Sequence, residues 1–273
     1  MSLPPLSPIA FDVRKQDRER FVTALFAPED RRDDLFVLYA FNAEVARIKS
    51  LVREPLAGAI RLQWWRDVVA QERPASEVDH HPIAAPLTQL IGAGRLSKDR
   101  LLAILDAREQ QDLNNHPFET LSQMVSYADA TAGNLAVAGL ELLGINDDST
   151  VNAGRGAAIA YGLMGLVRSI PVHASQGWVT LPADLYPAAQ PITSKTDLSQ
   201  PIQRIAEQTL STLIIARKNR IHKAGLSVCL WGTLAEGHVG QIKKTGWNPF
   251  AASLSKPQTM PIKLTWKSIW GRF

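Results

Sequence analysis

Ser169 and His173 are the residues whose chemistry first suggests catalysis, since an imidazole can deprotonate a nearby hydroxyl and make it a nucleophile. Such a pair also needs an acid that orients the imidazole and donors that stabilise an oxyanion. Neither can be identified around these two positions. Polar contacts within a loop are therefore favoured over a nucleophile and its base.

Three further groups of side chains could be interpreted as metal ligands. They are Asp30, Asp33 and Asp34; Asp106, Glu109 and Asp112; and the adjacent pair His80 and His81. Basic and amide side chains are interleaved with both acidic groups, which favours a solvated helix start for the first and an exposed helix face for the second. The two histidines have no partner at ligand spacing, so a zinc site is disfavoured. No metal site is predicted.

The elements that must position these residues are predicted to be helices. Apolar residues recur at intervals of three and four, and no alternating strand pattern is present. The predicted helices cover residues 13–27, 35–52, 55–71, 82–91, 97–111, 118–143, 151–169 and 201–224. Pro171 disfavours a helical conformation at Ile170, so the chain is expected to leave the helix before His173.

Tyr39-Ala40-Phe41 and the residues after it resemble the first signature of the squalene/phytoene synthase family. Members of that family are all-helical enzymes that join two prenyl diphosphates head to head with magnesium. Two later segments resemble the same family, through Tyr127, Ala132 and Gly133 and through Arg168, Gly177, Leu181 and Pro182. The resemblance implies an all-α, isoprenoid synthase-type helical bundle around a central cavity. That cavity would be lined partly by Ala43, Ala46, Arg47 and Ser50 and partly by Gly162, Gly165 and Ser169.

The chain departs from the family at the aspartates that hold magnesium. The matching positions are Ala46, Arg47 and Ser50 in the first motif and Ser169 and His173 in the second. Magnesium prefers oxygen ligands, usually carboxylates together with substrate phosphates, and these side chains cannot replace them. The departures imply no catalytic residue, no metal and no cofactor.

The replacements are similar to those of one branch of the family, the assembly factors of respiratory complex I (NADH dehydrogenase). The run Phe41-Asn42-Ala43-Glu44-Val45-Ala46-Arg47-Ile48-Lys49 fits that branch, as do Arg61-Leu62-Gln63-Trp64-Trp65 and the segment from Arg168 to Pro182. This resemblance implies binding in place of catalysis. The residues expected to shape a polar site in or beside the cavity are Asn42, Glu44, Lys49, Arg61, Arg168, His173 and Ser175.

The positive charge of the chain is concentrated at its C-terminal end. The net charge is +4, yet residues 237–273 carry six basic residues and no acidic one, leaving 24 basic against 26 acidic residues elsewhere. We divide the chain into an N-terminal arm (1–12), a helical domain (13–245) and a basic-aromatic tail (246–273). The single cysteine, Cys229, excludes an intramolecular disulfide and is expected to be a small buried residue.

The tail is expected to lie in a membrane interface. Ile262, Trp266, Ile269, Trp270 and Phe273 follow helical spacing, while Lys263, Lys267 and Arg272 fall largely off that face. Aromatic and basic side chains together are typical of an interfacial helix. The residues expected to face the membrane are Trp266, Lys267, Trp270, Arg272 and Phe273. The alternative is that the tryptophans cover an apolar groove on the body of the protein.

Three functional classes follow from these observations. The first is a non-catalytic assembly factor, with a complex I subunit, an anionic membrane surface and a prenyl lipid in the cavity as candidate partners. The second is a prenyl diphosphate-binding protein or a head-to-head prenyl transferase of isoprenoid biosynthesis. The third, nucleic-acid binding through the tail, is disfavoured because no recognised module accompanies the basic residues. The expected location is cytoplasmic, peripheral on the inner face of the membrane.

Overall fold

The computed structural model describes residues 6–52, 54–113, 117–187, 189–255 and 260–273. Within these ranges the chain forms helices and no strand, which confirms the all-α prediction. The α-helices are α1 (Pro8–Gln16), α2 (Arg18–Ala24), α3 (Arg32–Leu51), α4 (Pro55–Ala70), α5 (Ala75–Val78), α6 (Ala84–Gly92), α7 (Lys98–Arg108), α8 (Leu121–Ala128), α9 (Asn134–Leu142), α10 (Asp148–Ser175), α11 (Ser199–Ala216), α12 (Leu226–Cys229), α13 (Trp231–Lys244) and α14 (Pro261–Ile269).

In the part of the chain that the structure describes, two π-helical turns interrupt the regular helices. The first, Glu109–Leu113, continues α7, and the second, Asp129–Gly133, joins α8 to α9. A π-helical turn contains one more residue than an α-helical turn, so it rotates the side chains that follow it around the helix axis. Turns of this kind occur frequently at functional sites.

The centre of the bundle is α10, which has 28 residues and is about 42 Å long. It packs against α8, α9, α11, α12 and α13, so most of its apolar residues lie in the core. Within the described residues it is also the helix that could cross a membrane by length and composition, with a mean hydropathy of 1.2. Cys229, at the end of the neighbouring α12, is fully buried.

The first predicted helix was wrong in its bounds. The helical chain begins at Pro8, where the Ser7 hydroxyl accepts a hydrogen bond from the Ala10 N–H at 3.2 Å. It then divides at Asp17, whose carboxylate caps α2 through the Arg20 N–H at 3.1 Å. Two capped helices therefore replace the single helix expected over residues 13–27. Residues 1–5 of the predicted arm and Lys256 of the predicted tail lie outside the described residues.

The prediction that the chain leaves the helix before His173 was also wrong. Helix α10 continues through Pro171 to Ser175. A proline removes one backbone hydrogen bond and disfavours helix at the residue before it, but it does not forbid it. Val167 and Ile170, in the turn that precedes Pro171, are 0 and 1% exposed. Burial of this face offsets the lost bond and places His173 on the helix.

Candidate ligand-binding cavity

A cavity of about 470 Å³ lies between α3, α10, the two π-helical turns and residues 178–180. Its volume is within the range of small-molecule sites. All the residues that were expected to line it do so: Ala43, Ala46, Arg47 and Ser50 on α3, and Gly162, Gly165 and Ser169 on α10. The positions that correspond to the two magnesium motifs therefore face one shared space.

The predicted binding residues divide into two groups. Asn42, Lys49 and His173 line the cavity. The other four do not: Glu44 forms an ion pair with Arg47 on α3, Arg61 and Ser175 are exposed, and Arg168 points into the core. The structure thus brings three of the seven predicted residues to the cavity and leaves the other four outside its lining.

Lys49 and His173 form one wall of the cavity together with Trp178. The Lys49 ammonium lies 3.9 Å from the centre of the Trp178 ring, within the range of a cation–π contact. Burial lowers the pKa of Lys49. Burial, followed by the positive charge of Lys49, lowers the pKa of His173, so the imidazole is neutral at pH 7. This wall carries one cation beside an aromatic face.

The geometry of Ser169 supports the non-catalytic interpretation of the Ser169–His173 pair. The Ser169 hydroxyl lies 3.3 Å from His173 Nδ1, but it donates its proton to the Leu166 carbonyl at 2.8 Å. Within the described residues, no carboxylate is recorded as a hydrogen-bond partner of the His173 ring. The contacts are polar as expected, although they lie on a helix and not in a loop.

Arg108, Asp112 and Tyr127 form a second polar group in the lining of the cavity. The Tyr127 hydroxyl donates to Asp112 at 2.8 Å, and the Arg108 guanidinium lies 3.2 Å from both partners. The expectation of an exposed acidic face holds for Asp106, whereas Glu109 is half-buried. Both residues pair with Arg66, at 2.8 and 2.5 Å. The expectation fails for Asp112, because the π-helical turn alters the spacing of side chains and brings this carboxylate to the cavity.

Arg20 and Asp17 enter the cavity from the start of α2, and sequence reasoning missed both. The Arg20 guanidinium lies 4.9 Å from the Tyr161 ring centre and 4.5 Å from that of Trp231. It pairs with Asp17 at 2.6 Å. No local motif surrounds these residues, and their place beside α10 depends on tertiary packing.

The residues of this cavity do not fit magnesium. Within the described residues, its carboxylates are Asp17 and Asp112, and each is paired with an arginine. The same part of the chain contains no group of three or more candidate metal ligands. Magnesium requires a near-octahedral set of oxygen ligands, which this lining does not provide. The cations Arg20, Arg47, Lys49 and Arg108 outnumber the carboxylates, so the lining carries net positive charge.

A buried polar cluster around Glu19 lies beside the cavity. The Glu19 carboxylate is 3% exposed and accepts hydrogen bonds from the Tyr161 hydroxyl at 2.6 Å and from Arg168 at 3.1 Å. His238 Nε2 lies 3.0 Å from the same carboxylate. Burial alone would raise the pKa of Glu19, but hydrogen bonding with His238 and the positive charge of Arg168 lower it to about 2. The cluster joins α2, α10 and α13.

Curated proteins similar to this chain carry one shared name. Human "NADH dehydrogenase (ubiquinone) complex I, assembly factor 6" is 32% identical over 63% of this chain and 51% of its own length. The chain thus spans about half the length of this relative. The Drosophila melanogaster homolog of that factor is 26% identical over 96% of this chain and 82% of its own length.

Solved structures and a family model agree with the resemblance seen in the sequence. A dehydrosqualene synthase superposes with a TM-score of 0.78 at 13% identity, covering 96% of this chain and 94% of that one. Squalene synthase HpnC from Alicyclobacillus acidocaldarius superposes with a TM-score of 0.69 at 19% identity, covering 89% and 94%. At these identities the similarity shows the isoprenoid synthase-type fold. The model of squalene/phytoene synthase matches residues 13–259, and the chain belongs to that family.

Proposed function

We propose that this chain is a non-catalytic member of its family that acts in the assembly of respiratory complex I (NADH dehydrogenase) at the membrane. One observation carries the proposal. The positions of both magnesium motifs face one cavity, and its carboxylates, within the described residues, are paired with arginines. The name shared by the curated relatives supports the same role.

The physical argument against prenyl transfer is electrostatic. In the enzymes of this family, the resemblance implies, aspartates hold magnesium ions that neutralise the leaving diphosphate, and such charge stabilisation usually carries much of the rate acceleration. Ala46, Arg47 and Ser50 offer no carboxylate, and neither do Ser169 and His173. We infer that the chain binds a partner or ligand without converting it. Its client would be a complex I subunit, and its position peripheral on the inner face of the membrane.

Gene deletion with complementation tests this proposal. We expect deletion to lower the amount of assembled NADH dehydrogenase several-fold on native gels and to leave squalene and phytoene levels unchanged. The complementing chains are the wild type, a Lys49→Ala/His173→Ala variant that alters the cavity, and Lys244→Ala as a matched control on an exposed position.

We expect the wild type and the control to restore complex I and the cavity variant to restore it poorly. Circular dichroism verifies that each variant folds. Unchanged complex I after deletion would refute the assembly role. Magnesium-dependent formation of squalene or phytoene by the pure protein would refute the non-catalytic role.

A second candidate function is binding of a prenyl diphosphate without turnover. The observation that favours it is the positive lining, where Lys49 and Arg47 occupy the face that carries carboxylates in the family's enzymes. Cationic side chains bind phosphate groups directly through charge-assisted hydrogen bonds. The aromatic and small apolar residues of the same cavity, among them Trp178 and Ala132, could accommodate part of a prenyl chain.

Calorimetric titration with farnesyl diphosphate tests this second candidate. We expect binding that persists in EDTA and that weakens about tenfold in Lys49→Met, which loses one charge-assisted contact of roughly 1.5 kcal/mol. Lys244→Met, exposed on α13, should bind like the wild type. No heat of binding with or without magnesium would contradict the candidate, and strict dependence on magnesium would restore the metal-based interpretation.

A further inference from the structure

The C-terminal helix α14 is attached to the body in a defined orientation. Leu264 is fully buried and Phe273 is 5% exposed. The Phe273 carbonyl accepts a hydrogen bond from Arg217 at 2.7 Å, and a Cβ atom on Gly232 would lie only 2.9 Å from the Phe273 ring. The tail is thus part of the folded body. This corrects the prediction that Phe273 faces a membrane.

The outward face of α14 is apolar. Ile262, Trp266, Ile269 and Trp270 are 86, 63, 72 and 62% exposed. The two tryptophan rings lie 5.9 Å apart, so they form one aromatic unit on the surface. Exposed apolar residues of this size, gathered on one face, mark an interaction surface.

Helix α11 adds apolar residues beside this face. Arg217, which binds the Phe273 carbonyl, follows the last residue of α11. Ile214 and Leu210 precede Arg217 by three and seven residues, a spacing that places them on the same side of the helix. They are 62 and 37% exposed. Helix α11 therefore exposes apolar residues on the side that carries Arg217, the residue bonded to the end of the tail.

A basic pocket of about 630 Å³ lies at the junction of the two helices. The charged residues that line it are Arg217, Arg220, Lys267 and Arg272, and its lining, within the described residues, contains no Asp or Glu. Arg217 is paired at 3.1 Å with Glu236, which lies outside the lining. Burial and the positive charge of Arg217 both lower the pKa of Lys267. An anion bound here would relieve the repulsion between these cations. Arginine is well suited to this role because its planar guanidinium can bind phosphate through two hydrogen bonds.

We propose that the apolar face of α14 and this basic pocket form one docking surface for a bilayer of anionic phospholipid. Trp266 and Trp270 enter the interface, and the phosphate of one lipid headgroup occupies the pocket between Arg220 and Arg272. The argument for a lipid occupant is charge complementarity, since a pocket with four cations adjoins an exposed aromatic face. The inference rests on the membrane location in the proposed function and specifies its structural basis.

Vesicle sedimentation of the full chain tests this surface. We expect the chain to pellet with vesicles of phosphatidylcholine and phosphatidylglycerol and to remain mostly in solution with phosphatidylcholine alone. Salt should weaken binding, because charges near an anionic surface are screened. The tryptophan fluorescence of the bound chain should shift to shorter wavelength as the rings leave water.

Two double variants distinguish the contribution of the pocket to vesicle binding from the contribution of the general positive charge. Arg220→Ala/Arg272→Ala should weaken binding to anionic vesicles about tenfold or more, because each basic residue near the surface contributes to binding. Lys243→Ala/Lys244→Ala removes the same charge from exposed positions on α13 and should weaken it much less. Equal losses in the two variants would overturn the headgroup site. Trp266→Ser/Trp270→Ser should lose binding, and normal binding by this variant would overturn the role of α14.

The remaining outcomes are equally decisive. If the wild type does not bind anionic vesicles but forms dimers that Trp266→Ser/Trp270→Ser dissociates, a second copy of the chain covers this face and the proposal is wrong. Thermal unfolding of each variant confirms that the fold is intact. Complex I levels are measured separately in cells, so a wild-type chain that restores complex I but does not bind anionic vesicles would refute this inference and leave the assembly role in place.

Discussion

Glu19 is one carboxylate that holds three helices together. Its partners Tyr161, Arg168 and His238 lie on α10 and α13, 142 to 219 residues further along the chain. Sequence reasoning identified Arg168 from a motif but assigned it to a ligand site, and it made no claim for His238. Helical spacing detects contacts within one element only, so no sequence signal could have paired Glu19 with residues so distant.

We predict that Glu19→Gln lowers the free energy of unfolding by about 3 kcal/mol at pH 7, because it leaves the partly buried Arg168 without its counter-charge. The effect should depend on pH. The pKa of Glu19 is lowered on folding, so its stabilisation is present above its ordinary pKa of 4.5 and is lost as the pH falls towards about 2. Urea unfolding followed by circular dichroism at several pH values measures this.

The difference in the free energy of unfolding between the wild type and Glu19→Gln should therefore decrease below pH 4.5. Glu207→Gln provides a matched control, since Glu207 forms an exposed pair with Arg204 at 2.9 Å and should change stability by less than about 0.5 kcal/mol. A difference that stays constant across this pH range would show that ionisation of Glu19 does not stabilise the fold.

At the scale of the element, periodicity predicted the helices well and their interruptions poorly. The helix expected over residues 35–52 is observed as α3 (Arg32–Leu51). The π-helical turns were not predicted, because one additional residue per turn leaves the apolar pattern nearly unchanged while it turns Asp112 into the cavity. Pro171 was misjudged because burial of Ile170 outweighs a local conformational preference.

Two glycines of α10 provide a matched test of helix packing. A Cβ atom on Gly156 would lie 2.7 Å from the Cβ of Ala216 on α11, whereas a Cβ on Gly165 would meet no atom of the described residues within 4 Å. We predict that Gly156→Ala destabilises the protein by roughly 1–3 kcal/mol through overpacking. Gly165→Ala should stabilise it by about 0.5–1 kcal/mol, because alanine is the better helix former.

Urea unfolding measures both glycine variants under the same conditions. The two substitutions make the same chemical change in the same helix, so helix propensity cancels in the comparison. If Gly156→Ala were as stable as Gly165→Ala, α10 and α11 would not be as close as the structure places them.

At the scale of the whole molecule, the family resemblance predicted the fold and the cavity. Which residues attach the tail to the body depends on tertiary packing and was not predicted. Ala46, Arg47, Ser50 and Ser169 meet in one space as expected. The tail was predicted as an amphipathic helix, but its spacing alone could not show which residues attach it. Leu264 and Phe273 bury themselves against the body, and Trp266 and Trp270 remain outside.

We predict that millimolar magnesium does not raise the melting temperature of the pure protein, because a ligand stabilises a fold only if it binds the native state. The described cavity provides no set of carboxylates for the ion. Differential scanning fluorimetry with magnesium, with EDTA and with sodium chloride at equal ionic strength measures this. A concentration-dependent rise specific to magnesium would reveal an ion site and contradict the non-catalytic assignment.

The buried cysteine makes local unfolding of the protein measurable by thiol labelling. Burial raises the pKa of the Cys229 thiol to about 12, and thiol reagents react with the thiolate, so the native state is protected from them. Alkylation therefore requires the chain around α12 to unfold locally and expose the thiol. Because the sequence has one cysteine, each molecule is labelled once at most. When refolding of this region is faster than alkylation, the labelling rate is proportional to the equilibrium population of the locally unfolded state. Mass spectrometry of the labelled protein can therefore measure that population without denaturant.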